Sequence, residues 1–122
     1  MEKIKEGEYI RTEYDGIGKV IEVRENPLRY ACDIYGNIAF PGDITKHSPN
    51  IIDLIEVGDY VNGYKVSYKG NDYKPYVQCD YPVEAGTTNH YLFYEHGIRT
   101  IVTKEQFEAI KYVVGEWLNE QS

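Results

Sequence analysis

Few side chains in this sequence could carry out covalent chemistry, and Cys79 is the first to consider. A cysteine nucleophile needs a base within hydrogen-bonding distance, and His90 or His96 could serve, oriented by Asp80 or Glu95. Nothing in the sequence brings these groups together, and reduced cysteines in strands usually pack as small apolar side chains. We therefore predict no catalytic residue. Of three hypotheses about function, an enzyme ranks third, behind the two binding functions described below.

A metal site would need clustered ligands, and the histidines and cysteines are not spaced for one. His90 and His96 are six residues apart, and neither Cys32 nor Cys79 belongs to a C-x-x-C motif. The G-x-G sequence that starts at Gly16 lacks the third glycine and the helix of a dinucleotide-binding loop. The sequence thus predicts neither a metal nor a cofactor.

Acidic residues beside tyrosines form the pattern that best fits a binding surface. The chain has 13 tyrosines against 3 phenylalanines and 1 tryptophan, and tyrosine is enriched at protein interfaces. Carboxylates at strand spacing can imitate a row of phosphates, and the rings add contact area. The alternative is a solvated strand face whose rings fill half-buried positions. The predicted partner-binding residues are Asp59, Tyr60, Asp72, Tyr73, Tyr76, Asp80 and Tyr81.

The overall charge narrows the class of partner. The formal net charge is −7, spread over both halves of the chain, so a phosphate backbone would be repelled. We predict no direct binding to nucleic acid, and a protein partner with a basic surface, such as a host nuclease or a nucleoprotein complex. The charged N-terminus and the lack of a long apolar run predict a cytoplasmic protein with reduced cysteines and no membrane contact.

Strands must position these residues, because turn signals divide most of the chain into short segments, and apolar and polar residues alternate over 64–69. A length of 122 residues fits one domain or two small lobes that share a core. We divide the chain into an N-terminal β unit (1–46), an apolar connector (47–58) and a C-terminal unit (59–122). The predicted fold class is mainly β (α+β), with two small antiparallel units, each a partly open barrel or sheet, and a C-terminal helix packed on the second.

Glycine-containing turns divide the N-terminal unit into short strands. Asn26-Pro27 breaks the ladder after the second strand, because proline cannot donate a backbone hydrogen bond. Strands this short at this spacing predict a small, strongly bent sheet or a partly open barrel. The predicted strands cover residues 8–14, 19–23, 28–34 and 38–40.

The connector ends with a pattern that also starts the chain. Residues 4–10 and 55–61 share I-x-x-G-[DE]-Y-[IV], so a small β unit starts twice. Before the second copy, Ser48 as cap and Pro49 at the first helical position predict a single helical turn. The apolar residues of 51–57 are predicted to plug the space between the halves. The Gly-Glu-Tyr-Ile and Gly-Asp-Tyr-Val strand starts also resemble those of Src-homology-3 barrels, which bind peptides and nucleic acid and often serve as adaptors.

Turn signals divide the first part of the C-terminal unit. Asn62-Gly63 predicts a type I′ hairpin turn, and residues 70–72 predict a second turn. Pro75 predicts that the strand containing it lies at an edge of the sheet. The predicted strands cover residues 59–61, 64–69 and 73–81.

The rest of the unit is predicted to hold a loop, a hairpin and a helix. Residues 82–89 predict a mobile loop, and 90–94 and 98–102 predict a hairpin. A helix over 103–120 starts with a capping box formed by Thr103 and Gln106. Its predicted apolar face, which packs on the second sheet, consists of Phe107, Ile110, Val114, Trp117 and Leu118.

Residues 4–23, 46–66 and 101–112 resemble small proteins of prophages and mobile elements of Gram-positive bacteria (Firmicutes). That family brings no assigned catalytic residues. The resemblance implies a bacterial host cell, and small acidic phage proteins often inhibit host defences, as anti-CRISPR proteins do. The first hypothesis is therefore a non-enzymatic inhibitor of a host defence protein such as a CRISPR nuclease, acting by acidic occlusion or nucleic-acid mimicry. The alternative is an adaptor in phage assembly or regulation that binds a peptide or protein at a sheet edge near Pro75.

Overall fold

Most of the chain lies in two antiparallel sheets in the structure, a computed structural model that describes residues 3–33, 37–84 and 87–112. The first sheet consists of β1 (Tyr9–Thr12), β2 (Gly16–Arg24), β3 (Arg29–Cys32), β4 (Ile38–Ala39) and β5 (Ile44–Ser48). The second consists of β6 (Tyr60–Val61), β7 (Tyr64–Asp72), β8 (Lys74–Glu84), β9 (Thr87–Tyr94) and β10 (Ile101–Val102). The helical segments are three 3₁₀ turns, Pro41–Asp43, Ile51–Leu54 and Glu95–Gly97, and one α-helix, α1 (Lys104–Ile110). The predicted fold class, mainly β with two antiparallel units and a C-terminal helix, is confirmed.

The two sheets share one topology. The strand order is β4-β3-β2-β1-β5 in the first and β9-β8-β7-β6-β10 in the second. In each sheet a 3₁₀ turn precedes the last strand and a helical segment follows it. The register shifts between Val20 and Glu22 in the first sheet and between Val66 and Tyr68 in the second. The predicted double start of a β unit is therefore the start of a repeated five-stranded unit.

The glycine of the repeated pattern makes the same turn in both units. Gly7 has a φ of 90° and Gly58 a φ of 100°, in the region that favours glycine. The Gly7 amide donates to the Val20 carbonyl at 2.8 Å, and the Gly58 amide donates to the Val66 carbonyl at 2.9 Å. These bonds join each turn to the second strand of its own unit.

The acid of the repeated pattern closes the same ring in both units. The Glu8 carboxylate accepts a hydrogen bond from the Lys5 amide at 2.7 Å. The Asp59 carboxylate accepts one from the Glu56 amide, also at 2.7 Å. The acid at this position thus has a local structural role, whether its side chain is Glu or Asp.

Each unit contributes its own cluster of buried apolar side chains. Ile17 on β2 of the first unit packs against the second cluster, so the units touch. The first cluster contains Ile4, Ile10, Val20, Tyr30, Cys32 and Ala39. The second contains Ile52, Ile55, Val61, Val66, Val77 and Cys79.

The connector differs from its prediction in two respects. β5 was not predicted, yet it pairs with β1 and extends the first sheet to Ser48. The helical turn is confirmed, but it starts after Asn50, and Ser48 accepts from the Asn50 amide instead of capping the turn. Within the apolar segment, Ile52 is buried and Val57 is 53% exposed, so only part of it fills the interior.

Two predictions about the hairpin of β7 and β8 are wrong. β8 is not an edge strand, because it pairs with both β7 and β9. Pro75 is tolerated there because it pairs only with Asn71, before the ladder to β9 starts at Tyr76. The turn predicted at 70–72 lies instead at Tyr73, since β7 continues to Asp72.

The segment after Tyr81 also differs from its prediction. In place of the mobile loop at 82–89, β8 continues to Glu84 and β9 starts at Thr87. The predicted hairpin of 90–94 with 98–102 is wrong, because β9 and β10 lie at opposite edges of the sheet. The Asn62 side chain accepts hydrogen bonds from the amides of Arg99 and Thr100 and holds the chain as it crosses over.

The capping box of α1 is confirmed, since Thr103 and Gln106 bond each other's backbone amides. The chain is extended at Lys111, so α1 ends at Ile110. The rest of the predicted helix, from residue 113, lies outside the described residues. Phe107 stacks on Tyr60 of β6 at 4.6 Å between ring centroids, but it stays 37% exposed. The helix therefore contacts the second sheet through one ring and not through a buried apolar face.

Candidate partner-binding face

One face of β7, β8 and β9 projects into solvent. Successive side chains of a strand point to opposite sides, and the other side holds Val66, Val77 and Phe93 of the second cluster. Strand register places Tyr76 beside Tyr94. We call the solvent side the outer face; its side chains are those of Lys65, Ser67, Tyr68, Tyr76, Gln78, Asp80, His90, Leu92 and Tyr94.

A line of aromatic rings crosses the outer face diagonally, from β7 over β8 and β9 to the 3₁₀ turn after β9. Ring centroids are 6.3 Å apart between Tyr68 and Tyr76 and 5.9 Å apart between Tyr76 and Tyr94. The His96 ring follows at 6.4 Å and is nearly parallel to the Tyr94 ring. We call these four side chains the aromatic row. They combine flat apolar area with polar ends, which suits recognition of another protein.

Gly70 lets the Tyr76 ring lie across β7. A Cβ built on Gly70 would overlap the hydroxyl end of that ring. Glycine inside a strand often marks such a close approach. Gly70, predicted as a turn residue, is therefore part of the platform for the aromatic row.

A hydrogen-bonded histidine and aspartate occupy the outer face beside the aromatic row. His90 Nδ1 lies 2.7 Å from the Asp80 carboxylate, and Ser67 donates to the same oxygen at 3.0 Å. These hydrogen bonds, first that of His90 and then that of Ser67, lower the pKa of Asp80. Asp80 is thus a charged and partly engaged carboxylate on the exposed side, as its prediction requires.

The tip of the β7–β8 hairpin extends the aromatic row. Tyr73 is fully exposed and has a φ of 65°, which is costly for a bulky side chain. An open groove of 280 Å³ at this tip is lined by Asp72, Tyr73, Lys74, Tyr94 and His96. The structure thus places the predicted residues Asp72, Tyr73 and Tyr76 at or near the tip of the β7–β8 hairpin, whereas Asp80 lies farther along β8, opposite Lys65.

Asp59 does not belong to this face. It is fully buried, and its carboxylate is bound by the Arg11 guanidinium and by the Lys104 amide at 2.8 Å. Asp59 therefore lies in the interior, which corrects its predicted place on a partner-facing surface. Tyr60 is half-buried beneath Phe107, away from the aromatic row. The side chain of Tyr81 lies outside the described residues.

Arg11 is the principal buried charge that the sequence did not reveal. It is 0% exposed and donates to the Leu54 carbonyl at 2.9 Å, to Asp59, and to Glu105 at 2.9 Å. Burial disfavours its charge, but the Asp59 hydrogen bonds and the surrounding carboxylates outweigh burial and raise the pKa of Arg11. In the sequence, the burial of Arg11 is indicated only by its position between Ile10 and Thr12 in a short predicted strand. Arg11 fastens the first unit to the second.

Glu56 lies at the edge of this buried cluster. Its carboxylate is 2.8 Å from Lys104 Nζ, 3.3 Å from Lys46 Nζ and 3.6 Å from Arg11 Nε. The Lys104 hydrogen bond, with the charges of Arg11 and Lys46, lowers the pKa of Glu56 to about 2. Both units and α1 therefore contribute to one charge network.

Cys79 lies on the core side of β8 and is 0% exposed. Burial, with the charge of Asp80, raises the pKa of its thiol to about 11, opposite to what a nucleophile needs. His90 projects from the outer face, so it does not meet this thiol. Cys32 is also buried, and both cysteines are reduced.

Two further observations concern the part of the chain that the structure describes. It contains no group of three or more His, Cys, Asp or Glu side chains arranged to hold a metal ion. Its helices are too short and too polar to cross a lipid bilayer.

Comparisons of the chain with protein-family models, with curated proteins and with solved structures found no match.

Proposed function

We propose that this protein is a non-enzymatic binding module whose outer face receives a protein partner. The observation that carries the proposal is the aromatic row, three rings on three paired strands and a fourth, His96, on the 3₁₀ turn that follows β9, all on the solvent side of the sheet. Rigid aromatic side chains provide contact area at a small entropy cost and dominate the energetics of many interfaces. Tyr73 at the hairpin tip and the groove beside it extend the contact area.

The charge of the chain suits a basic partner. A net charge of −7 repels phosphate and attracts a basic protein surface. Because Asp59 is buried and Asp80 is engaged by His90, Asp72 is the least engaged carboxylate of the three predicted ones. Occlusion of a basic surface by rings and scattered acids fits this arrangement better than imitation of a phosphate row.

The narrower proposal is a mobile-element inhibitor that occludes a host defence protein such as a CRISPR nuclease. Its support is the sequence resemblance together with the acidic charge. The second candidate is an adaptor in phage assembly or regulation, which would use the rings of the same face more than the charges.

A substitution series tests the binding role. Tyr76→Ala and Tyr68→Ala should each weaken partner binding about ten-fold or more, as loss of a central aromatic contact does. Tyr14→Ala is the matched control, since Tyr14 is 73% exposed but lies in the turn between β1 and β2. Partner capture from a host lysate, followed by calorimetry with the purified partner, measures the difference. Equal affinities for all three variants would reject the outer face as the binding site.

Salt dependence separates the two candidates. Occlusion of a basic nuclease predicts affinity that falls steeply with salt and falls further in Asp72→Lys and Asp80→Lys. An adaptor predicts salt-tolerant binding that depends on the rings. Inhibition of the partner's nuclease activity in parallel assays would favour the inhibitor, and binding without inhibition would favour the adaptor.

A further inference from the structure

We propose that β9 binds an extended basic segment of the partner as an additional strand. The proposal rests on the binding role assigned to the outer face and adds how the partner is held. The runner-up prediction placed a free sheet edge near Pro75, but that strand is internal. Among the described strands, β9 pairs with β8 alone and ends the second sheet.

The edge formed by β9 differs from the other sheet edges in length. β9 has eight residues, whereas its counterpart β4 has two, and the edge strands β5 and β10 have five and two. Short edge strands limit unwanted pairing with other chains. The long edge therefore belongs to the strands that are longer in the second unit than in the first.

The sequence of β9 also lacks the features that protect an edge. Thr-Thr-Asn-His-Tyr-Leu-Phe-Tyr contains no Lys, Glu, Asp or Pro, and these are the residues that natural edges use against pairing. Leu92 on the outer side is 52% exposed, and Tyr91 on the core side is 37% exposed. An added strand would thus cover apolar area on both faces of the sheet and bond the backbone of β9.

The net charge of the chain favours a basic occupant. Residues 75–98, which form most of β8, all of β9 and the turn after it, contain Asp80, Glu84 and Glu95 but neither Lys nor Arg. Lys74 and Arg99 flank this segment and Lys65 pairs with Asp80, so the attraction comes from the charge of −7 on the whole chain. A second copy of this chain would bring the same acids and a net charge of −7. An arginine- or lysine-containing strand brings the complementary charge.

The probe is a blocked eight-residue peptide, matched to β9 in length, that alternates arginine with valine or threonine. NMR-detected hydrogen exchange of the full chain reports the backbone contact. We expect every second amide of β9 to exchange about ten-fold more slowly with bound peptide. The same peptide with glutamate in place of arginine should bind about ten-fold more weakly. Unchanged exchange in β9 at about 1 mM peptide would overturn the proposal.

Two N-methylated versions of the peptide test the backbone pairing. One carries methyl groups on its odd amides and the other on its even amides, so only one blocks the edge that faces β9. One version should lose binding and the other should keep it. If both bind equally and perturb Tyr68 and Tyr76 instead, strand addition is wrong while the binding role of the outer face stands. If neither peptide competes with the partner, and Tyr76→Ala and Tyr68→Ala leave the affinity for the partner unchanged, both proposals fail.

Matched substitutions at Leu92 complete the test. Leu92→Lys should weaken binding of the arginine peptide about ten-fold, because the added lysine repels the arginines. Leu92→Glu should preserve the affinity for the same peptide. Thermal unfolding of both variants checks that they fold alike. Equal binding by both variants, or slowed β9 exchange that grows with protein concentration without peptide, would overturn the proposal; the latter would assign the edge to a second copy.

Discussion

The two five-stranded units start with the same turn and use it differently. Glu8 in the first unit caps its turn, and its carboxylate then pairs with His47 at 3.0 Å near the surface. Asp59 caps the equivalent turn, and its carboxylate is completely buried against Arg11 of the first unit. One local motif therefore produces a half-buried contact between a carboxylate and an imidazole in one unit and the joint between the units in the other. The extent of burial determines how much each pair contributes to the free energy of unfolding.

The units also differ in the strands farthest from that turn. β3 and β4 have four and two residues, whereas β8 and β9 have eleven and eight. The added length carries most of the outer face and the long neutral edge. The first unit thus keeps the minimal sheet, and the second combines the joint with the candidate binding surface.

Replacing the two equivalent acids tests the first difference most strongly. Asp59→Asn should lower the free energy of unfolding by about 3–5 kcal/mol, because Arg11 keeps its charge in the interior without a full partner. Glu8→Gln should cost about 1 kcal/mol, since its pair with His47 is partly solvated. Urea denaturation measures both. Similar losses for the two variants would show that the buried pair does not join the units as described.

Acid should expose the same difference as a pH dependence. The folded pKa of Glu56, about 2, lies below its ordinary value of 4.5, so its contribution is present above pH 4.5 and lost as the pH falls toward 2. The loss should be on the order of 2 kcal/mol. Glu56→Gln should remove more of this dependence than Glu8→Gln, since Glu56 contacts three cations and Glu8 one imidazole. Identical acid profiles for both variants would contradict this account.

The tyrosines of the repeated pattern predict a smaller difference. Tyr60 stacks on Phe107, whereas Tyr9 lies 5.9 Å from the Lys19 ammonium group. Phe107→Ala should cost about 1–2 kcal/mol, below the 3–5 expected of a buried ring, because Phe107 is 37% exposed. Lys19→Ala should cost about 0.5 kcal/mol. A cost for Phe107→Ala near 4 kcal/mol would mean that α1 is buried more deeply than described.

The equivalent hairpin tips provide the smallest test. Asn26 and Tyr73 have φ values of 63° and 65°, and asparagine tolerates this region far better than tyrosine. Tyr73→Asn should therefore raise the free energy of unfolding by up to about 1 kcal/mol while weakening partner binding. Tyr68→Asn, within a regular strand, should bring no such gain. A destabilised Tyr73→Asn variant would argue against strain at the tip.

Much of the local structure could be predicted because neighbouring residues decide it. Turn signals divided most of the chain into strands, and period-two alternation marked the strand at 64–69. Asn62-Gly63 marked a turn in which both residues have positive φ, and Thr103 with Gln106 marked the start of α1. The repeat at 4–10 and 55–61 indicated that one unit occurs twice. Within the candidate site, the pattern of acids beside tyrosines selected Asp72, Tyr73 and Asp80, which the structure places on β7, β8 and the hairpin between them. Each of these signals spans only a few residues.

The tertiary structure alone decided which strands are neighbours and which charges are buried. Local signals do not state which strands are neighbours, so Pro75 led to an edge position for β8, and a turn signal led to the pairing of β9 with β10. Arg11 and Asp59 are 48 residues apart, and each is of a residue type that usually lies at the surface. Only the packing of one unit against the other buries these two side chains and brings their opposite charges into contact. Long-range contacts therefore converted a repeated local turn into two different sites.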